Sequence, residues 1–504
     1  MKKIYLALAA IAAIFLLSRL VKISSVPPSV YWDEASIGYN AYSVLKTGKD
    51  EWGEFLPLHF RAFGEFKLPV YIYSVALMEV FFGLSEIAVR LPAVMFSLGA
   101  VFLTFLLARR IFKNDLAAII SALSMALSPW LFIFSRTGYE ATAGLAFFLL
   151  GLYLFLLEGK KTVFFLAGTL VWIASIYSYN AFRIVIPLTA LLLIIYFFRE
   201  IRLNVGKYIK VILVSLFILG VSAFPIARLY TKDVGAARFN TVSVRSPSEF
   251  ISNYLSHYSF SFLFSRGDAN LRSQMPGVGQ LYFIELPFLL AGTIFILKSR
   301  KKLFFLPLAL LLLAPIPAAI TRESPHALRA ITMLPFLAMI SGAGVAFISS
   351  MLPKYKNIAV GTVVIAYLAF FETYIQGFFN LYPIQSSSDW QYGYKIVFTQ
   401  HQEEFSNYDK VIVSEKYAQP YIFALFYLKY DPLRFQKEAV RTTPDRWGFS
   451  SVEKFDKYVF KKITSQDYVG KTLVFASDED AIKGTASSGI KFLNGTEALK
   501  VYKQ

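Results

Sequence analysis

The chain has 504 residues, of which 56% are hydrophobic and 17% aromatic. Soluble globular chains are about 45–50% apolar, and here the excess lies in long apolar runs, so these values exclude an ordinary soluble enzyme and indicate an integral membrane protein. The formal net charge is +18, but the cations line short loops between apolar runs. That is the positive-inside pattern and not the basic face of a nucleic-acid-binding protein.

Residue types narrow the chemistry further. The sequence contains no cysteine, which excludes disulfides, a thiolate nucleophile and cysteine-ligated metals. Its histidines are scattered without an H-E-x-x-H pattern, and no glycine-rich phosphate loop or dinucleotide fingerprint is present. The sequence therefore argues against a zinc hydrolase and gives no support to nucleotide hydrolysis or dinucleotide binding.

The first external loop follows the first span. Lys2-Lys3 precede an apolar run near 4–23, which we interpret as an uncleaved span with a cytoplasmic amino terminus. Residues 68–83 are apolar but contain Glu79 and fall short of the roughly 20 residues that cross a bilayer. Crossing there would also place Arg109-Arg110 outside. The sequence thus predicts an interfacial helix within one external loop, 24–88.

The remaining apolar runs alternate with short basic turns, which we assign to the cytoplasm. Predicted spans lie near 90–110, 116–134, 140–157, 162–179, 184–198, 208–229, 281–297, 303–320, 330–351 and 357–378. With the first span this gives about eleven transmembrane helices. A second external loop, 230–280, contains an amphipathic stretch at 248–264.

The composition changes after about residue 380. The tail is polar, with strand patterns at 409–414, 471–476 and 492–501 and a helical pattern at 419–428. The predicted fold is therefore an all-α polytopic membrane domain, 1–380, followed by a small extracytoplasmic α/β domain, 381–504. Asp478-Glu479-Asp480 in this tail resembles a metal-binding D-x-D motif by its letters, but we interpret it as a solvated turn.

An acidic pair, Asp33-Glu34, lies where the first span leaves the membrane. A carboxylate there is suited to act as a general base toward an acceptor hydroxyl. Adjacent helical residues point about 100° apart, so we expect one of the two to face a pocket. The competing interpretation is a helix cap with an acidic first turn.

Four cations lie on the external side, where the positive-inside rule disfavours them: Lys67, Arg136, Arg183 and Arg329. Lysine and arginine bind phosphate oxygens, so together they predict a phosphate clamp. Taken singly, each is better explained as an anchor at the lipid interface, and Arg136 has the spacing to pair with Glu140. Other polar residues of these external motifs are Glu65, Tyr179, Asn180 and His326, the last favoured as a structural hydrogen-bonding group.

These motifs, in this order, resemble a known family. They are Asp33-Glu34, Gly64-Glu65-Phe66-Lys67-Leu68-Pro69, Val89-Arg90-Leu91-Pro92, Ser128-Pro129-Trp130, Ser135-Arg136 with Glu140, Tyr179-Asn180 with Arg183, and Ser324-Pro325-His326-Ala327-Leu328-Arg329. The chain resembles prokaryotic GT-C glycosyltransferases and is similar to the protein O-mannosyltransferases and the aminoarabinose transferases of lipid A.

The resemblance implies transfer of a sugar from a polyprenyl-phosphate carrier to an acceptor hydroxyl on the external face, with inversion. Asp33 would be the base, with Glu34 and Glu140 as further candidate carboxylates. Lys67, Arg136, Arg183 and Arg329 would hold the donor phosphate, and Glu65, Tyr179, Asn180 and His326 would contact substrate. The acceptor would be a lipid, glycan or protein. No cofactor is firmly implied, and a divalent cation is left open.

The sequence departs from the family in places. Lys67-Leu68-Pro69 stands where the family often has Lys-Pro-Pro, and no β-trefoil insert is indicated, so a protein acceptor is not specifically implied. The alternatives are a lipid or solute transporter and a non-catalytic scaffold for the tail. Transporters place ionisable groups near the bilayer midplane, whereas here they cluster at span ends, which favours the enzyme.

Overall fold

A computed structural model of the chain describes residues 2–157, 162–203, 205–230, 242–445 and 449–504. Their contacts group them into two units. We call the first the helical unit; it takes in Met1–Val21, Ala93–Lys232 and Phe239–Gly377. The second, the sheet unit, combines Lys22–Pro92 with Phe378–Gln504. The loop that carries Asp33 therefore belongs to the same unit as the C-terminal residues.

Helices occupy most of the chain before residue 380. In order they are α1 (Lys2–Leu20), α2 (Trp32–Thr47), α3 (Pro69–Phe82), α4 (Glu86–Phe112), α5 (Asp115–Leu127), α6 (Pro129–Phe134), α7 (Ala141–Phe155), α8 (Thr162–Ile176), α9 (Phe182–Tyr196), α10 (Phe198–Leu203) and α11 (Val205–Tyr230). Further helices are Pro247–Ser256, Glu285–Lys298, Leu306–Leu313, Ile316–Ala319, Met333–Met351 and Lys356–Asn380.

Helices lie at all the predicted spans, and the chain is a multi-pass membrane protein. Among the described residues, 6 helices are long and apolar enough to cross a membrane: Lys2–Leu20, Glu86–Phe112, Ile209–Leu229, Lys302–Ala319, Met333–Met351 and Pro353–Asn380. Two predicted spans are interrupted: 116–134 at Ser128, and 303–320 near Pro315. Proline lacks the N–H that would continue the helical ladder, which accounts for both breaks.

Small residues allow the helices of the helical unit to approach closely. Glu285–Lys298 packs on Met333–Met351, which also packs on α5. A Cβ at Gly344 would collide with the carbonyl oxygen of Phe288, and one at Gly292 would collide with that of Ile340. In lipid, such backbone approach replaces the hydrophobic drive that packs soluble helices. The glycines therefore set the helix spacing here.

The sheet unit contains a two-stranded hairpin and a seven-stranded sheet. The hairpin is β1 (Phe60–Arg61) and β2 (Phe66–Lys67). The larger sheet contains β3 (Lys410–Ser414), β4 (Val440–Arg441), β5 (Val452–Phe455), β6 (Tyr458–Lys461), β7 (Thr472–Ala476), β8 (Ser488–Lys491) and β9 (Glu497–Lys503). Its order is β4-β5-β6-β3-β7-β9-β8, with β3 parallel to both β6 and β7. Besides α2 and α3, the unit has C-terminal helices at Tyr382–Ser386, Tyr392–Gln400, Pro420–Tyr427 and Pro432–Glu438.

The predicted tail elements at 409–414, 419–428 and 471–476 are confirmed to within two residues. The strand predicted at 492–501 forms only from Glu497, because 493–496 make a turn. Strands β5, β6 and β8 were not predicted, since each has only 4 residues and their charged side chains hide the alternation. The Asp478-Glu479-Asp480 motif is a turn in which Asp480 accepts the N–H groups of Ser477 and Ile463.

Helix α3 has the length and surface of an interfacial helix. Its 14 residues are fewer than the roughly 20 needed to cross the bilayer. One face buries Tyr71, Ile72 and Val75, while Phe81 and Val80 are exposed on the other. The 14-residue helix and its apolar outer face agree with the predicted surface helix.

Cysteine labelling tests this arrangement on a chain without native cysteines. Ser85→Cys, just after α3, should react from outside with a membrane-impermeant maleimide in sealed cells. Ser299→Cys, in a predicted cytoplasmic turn, is the matched control and should react only after permeabilisation. Labelling of Ser85→Cys only after permeabilisation would mean that α3 crosses the membrane.

Candidate functional site

An ion cluster in the sheet unit joins α2 to the β1–β2 hairpin. The ammonium nitrogen of Lys67 lies 2.9 Å from Asp33 Oδ1 and 2.8 Å from Glu65 Oε1. Lys67 is buried, whereas the side chain of Asp33 remains 19% exposed. Three predicted site residues are thus brought together, and both acids, Asp33 and Glu65, remain partly exposed.

Local sequence explains why Lys67 reaches this position. Gly64 adopts a left-handed conformation, φ 77°, which closes the hairpin turn at little steric cost. The Ala62 N–H donates to the Glu65 carbonyl oxygen across that turn, at 2.9 Å. Pro69 then begins α3, where its missing N–H is tolerated. Lys67 is therefore held between a closed turn and a helix start.

Glu34, the second member of the acidic pair, faces the interior of the unit. Its carboxylate is fully buried and forms a two-point pair with Arg90, at 3.1 Å to Nε and 3.2 Å to Nη2. It also accepts the N–H of Tyr31 at 3.2 Å. The expectation that the pair points in two directions is met: Asp33 reaches the surface and Glu34 is an internal counterion.

Arg90 uses every N–H of its guanidinium group. Besides Glu34, it donates through Nη1 to the carbonyl oxygens of Ile23 and Pro27, at 2.8 and 3.1 Å. Nη2 donates to that of Ser29 at 2.6 Å. Buried guanidinium groups are stable only when paired and fully hydrogen-bonded. Arg90 therefore fixes the segment that runs from the first span into α2.

C-terminal residues support the same segment. Glu86, one turn before Arg90, accepts from the Tyr427 hydroxyl at 2.8 Å and pairs with Lys395 at 3.0 Å. Lys395 also donates to the carbonyl oxygen of Pro28 at 3.0 Å. The tail thus contributes directly to the position of the loop that carries Asp33.

Arg136 has a different environment from that expected of a phosphate ligand. It is fully buried in the helical unit. Its Nη1 donates to the carbonyl oxygens of Ser18 and Arg19, at 2.8 and 2.6 Å, and Nη2 to that of Val21 at 2.9 Å. These are the orphan carbonyls at the end of α1. The geometry favours helix capping over phosphate binding for Arg136.

The segment with His326 and Arg329 is held by buried polar groups from the loop predicted to be the second external one. Asp268 Oδ2 accepts the Ala327 N–H at 2.7 Å and lies 3.9 Å from His326 Nδ1. His257 Nε2 accepts the His326 N–H at 3.1 Å. Burial lowers the pKa of His257 to about 4, so its neutral ring accepts at Nε2. The segment is therefore preorganised.

Arg329 occupies the end of this segment. Nη1 donates to Thr321 Oγ1 at 2.8 Å, and Nη2 lies 3.2 Å from Glu323 Oε2. The Arg329 side chain is 15% exposed and that of Glu323 is 66% exposed. A solvated partner of this kind exchanges readily for a ligand oxygen.

The remaining predicted residues also belong to the helical unit. Glu140 is buried immediately before α7, Tyr179 and Asn180 lie between α8 and α9, and Arg183 is in the first turn of α9. Asn180 is exposed, and Tyr179 and Arg183 are partly buried. Across the described ranges, no group of three or more His, Asp or Glu residues is placed to hold a metal ion.

The sequence predicted Arg90 only as part of a motif and not its pairing with Glu34. It did not indicate Asp268 or His257 as site residues. An arginine in the first turn of an apolar span was a usable signal, because such a charge needs a buried partner. Asp268 and His257 gave no comparable signal, since they lie 11 positions apart in an irregular loop and meet the His326 segment only through the fold.

The fold is similar to those of solved membrane glycosyltransferases. ArnT from Cupriavidus metallidurans bound to undecaprenyl phosphate matches with a TM-score of 0.58 and 12% identity, over 98% of this chain and 97% of that one. The apo state of ArnT matches with a TM-score of 0.53 and 12% identity, over 84% of each chain. The archaeal oligosaccharyltransferase AglB from Archaeoglobus fulgidus, in complex with an inhibitory peptide and a dolichol-phosphate, matches with a TM-score of 0.51 and 13% identity, over 84% of this chain and 63% of that one.

The chain therefore has the GT-C fold that its motifs resemble. No protein-family profile and no curated protein matches the sequence.

The buried Glu34–Arg90 pair predicts that two acids of this site contribute very differently to the stability of the fold. Glu34→Gln should lower the free energy of unfolding by about 3–5 kcal/mol, because it leaves Arg90 buried without a counterion. Glu65→Gln, the same substitution at a partly exposed acid, should cost about 0–1 kcal/mol. Unfolding of the purified variants in detergent measures both, and equal losses would contradict an internal role for Glu34.

Proposed function

We propose that the protein is a membrane glycosyltransferase that moves a sugar from a polyprenyl-phosphate carrier to an acceptor hydroxyl. The observation that carries the proposal is the Asp33–Lys67 pair, 2.9 Å apart, in a chain with the GT-C fold. It places a partly exposed carboxylate beside a buried cation. The structural relatives support the donor class, because one is bound to undecaprenyl phosphate and another to a dolichol-phosphate.

In the proposed reaction, Asp33 accepts the proton of the acceptor hydroxyl. The freed oxygen attacks the anomeric carbon from the face opposite the phosphate, and the bond from that carbon to the phosphate oxygen breaks. The polyprenyl phosphate leaves with the bonding electrons, and the sugar is inverted. Lys67 orients the base and stabilises the departing phosphate, a contribution that is larger in a dry site than in water.

Arg183 and Arg329 are the further donor-phosphate ligands in this proposal, both at external ends of helical segments. Arg329 is the better supported, because Asp268 and His257 preorganise its segment and its partner Glu323 is largely solvated. Tyr179, Asn180 and His326 are proposed substrate contacts, and Glu140 is a proposed supporting carboxylate. We assign Arg136 to helix capping and Glu34 to the Arg90 pair, outside the chemistry.

The proposed orientation has the amino terminus in the cytoplasm and the sheet unit outside. The basic turns assigned to the cytoplasm support it through the positive-inside rule. The acceptor class remains a lipid, glycan or protein. A transporter gains no support from these comparisons, in which AglB is named as an oligosaccharyltransferase.

Removal of the base tests the proposed chemistry. Asp33→Asn should lower the transfer rate by about 10²-fold or more, because the amide cannot take the acceptor's proton. The assay follows label from radiolabelled polyprenyl-phosphate sugars into membrane acceptors. Glu65→Gln changes the other acid paired with Lys67, a proposed substrate contact and not the base, so its effect should be much milder. Transfer by Asp33→Asn above about a tenth of wild type would exclude Asp33 as the general base.

Substitutions at two arginines distinguish a phosphate-binding role from a helix-capping role. Arg329→Gln should weaken donor use by about 30–150-fold, the loss expected for one charge-assisted bond to phosphate in a water-poor site. Arg136→Gln should instead lower stability, because carbonyls at the end of α1 lose their donors. Donor titrations and thermal unfolding on both variants give the comparison. Normal donor dependence in Arg329→Gln would remove this residue from the clamp.

A further inference from the structure

A second concentration of positive charge lies in the sheet unit, and one of its members shares the β1–β2 hairpin with Lys67. Arg441 and Arg61 both lie over the indole ring of Trp52, with guanidinium carbons 3.7 and 4.7 Å from the ring centroid. All three side chains are partly buried. We call this group the Trp52 platform.

The fold brings the platform together from three separate segments. Trp52 sits in a tight turn, bridged by Lys49 and Phe55, that follows α2. Arg61 lies on β1 and Arg441 on β4. Like charges over one ring repel each other unless an anion or an acid compensates them. The arrangement therefore needs a partner for its charge.

The platform also carries buried donors without acceptors. Trp52 Nε1, Arg61 Nε and Arg441 Nη1 are shielded from solvent and have no hydrogen-bond partner in the described part of the chain. Arg441 Nη2, by contrast, donates to the Glu51 carbonyl oxygen at 3.0 Å. Buried N–H groups are nearly always paired, so several such groups at one ring point to an absent acceptor.

Neighbouring acids interact electrostatically with Arg441 but do not hydrogen-bond to these donors. Asp50 Oδ1 accepts the N–H groups of Trp52 and Glu54, at 2.9 Å each, and its Oδ2 is buried without a partner in the described part of the chain. Glu51 is fully buried and receives long bonds from Asn40 and Tyr421, at 3.4 and 3.5 Å. Burial raises the pKa of Asp50 to about 6 and that of Glu51 to about 7. Glu51 is thus only partly ionised near neutral pH and is a weak counterion.

We propose that the Trp52 platform is a binding site for an oxyanion, a phosphate or carboxylate group carried by the acceptor. Guanidinium groups are the side chains best shaped for such oxyanions, and the indole N–H adds a neutral donor. The acceptor assignment rests on the proposed transferase function. It is suggested by the hairpin, where Arg61 pairs with Phe66, next to Lys67. An acceptor anchored on one side of the hairpin would present its hydroxyl toward Asp33.

Ligand binding tests the site without any transfer reaction. Saturation-transfer NMR with purified protein in detergent would compare methyl phosphate, acetate and methanol as probes. The Lys67→Gln background removes one donor-phosphate ligand from the comparison. We expect methyl phosphate or acetate to bind and methanol not to bind. Arg61→Gln and Arg441→Gln should each weaken that binding about tenfold or more.

A matched control is available in the same unit. Arg434 lies over the Tyr430 ring at 5.4 Å but pairs with Glu438 at 3.2 Å, so Arg434→Gln should leave anion binding unchanged. Trp52→Phe keeps an aromatic ring but removes the indole N–H, and should weaken binding less than either arginine variant. Equal affinities in Arg61→Gln, Arg441→Gln and Arg434→Gln would overturn the site. Arg61 lies on a short hairpin, whereas Arg441 lies in the seven-stranded sheet. If Arg441→Gln fails to fold, Arg61→Gln therefore decides whether the site binds anions.

Transfer kinetics then identify the source of the oxyanion. Arg61→Gln should raise the acceptor KM about tenfold or more and leave the donor KM unchanged. A raised donor KM instead would overturn the acceptor assignment and place the donor phosphate on the platform. Anion binding by a chain that transfers no sugar would retain the oxyanion site and defeat the proposed function, so the two failures are distinguishable.

Discussion

The buried pair between Glu34 and Arg90 is the interaction on which the arrangement of the loop that carries Asp33 depends. One guanidinium group fixes the start of α2 and the three carbonyl groups that precede it. A buried charge without its partner costs several kcal/mol, so neither residue is free to vary alone. The consequence for chemistry is indirect but large: Asp33 stands one residue from Glu34, and its direction follows from where Glu34 is held.

C-terminal residues of the sheet unit also stabilise the loop that carries Asp33. Lys395 and Tyr427 meet Glu86, and Gln391 accepts the N–H of Trp32 at 3.1 Å. The tail therefore does more than follow the membrane helices in sequence. It packs against the loop that carries the candidate base, and β4 contributes Arg441 to the Trp52 platform. This grouping offers a physical reason for a C-terminal sheet on a multi-pass membrane protein.

The sequence predicted most of the fold and part of the site. Long apolar runs and basic turns located the helices, because a membrane allows few alternatives for an apolar backbone. The Asp33–Lys67 contact was predicted only as a shared function, and the hairpin that creates it depends on a single left-handed glycine, Gly64. Arg136 illustrates the limit of predicting a binding role from a local sequence motif. Its motif position indicated phosphate, but its neighbours are carbonyls at the end of α1, contacts set by tertiary packing and invisible to local pattern.

The central claim is that sugar leaves a polyprenyl-phosphate carrier by inverting displacement at this site. The most direct measurement is the anomeric configuration of the product, determined by NMR after purified protein is incubated with polyprenyl-phosphate sugars of known configuration. The account predicts that the sugar reaches a hydroxyl acceptor with the opposite configuration to the donor. A product with retained configuration would contradict a single displacement with Asp33 as base, and intact donor with every sugar tested would contradict the transferase itself.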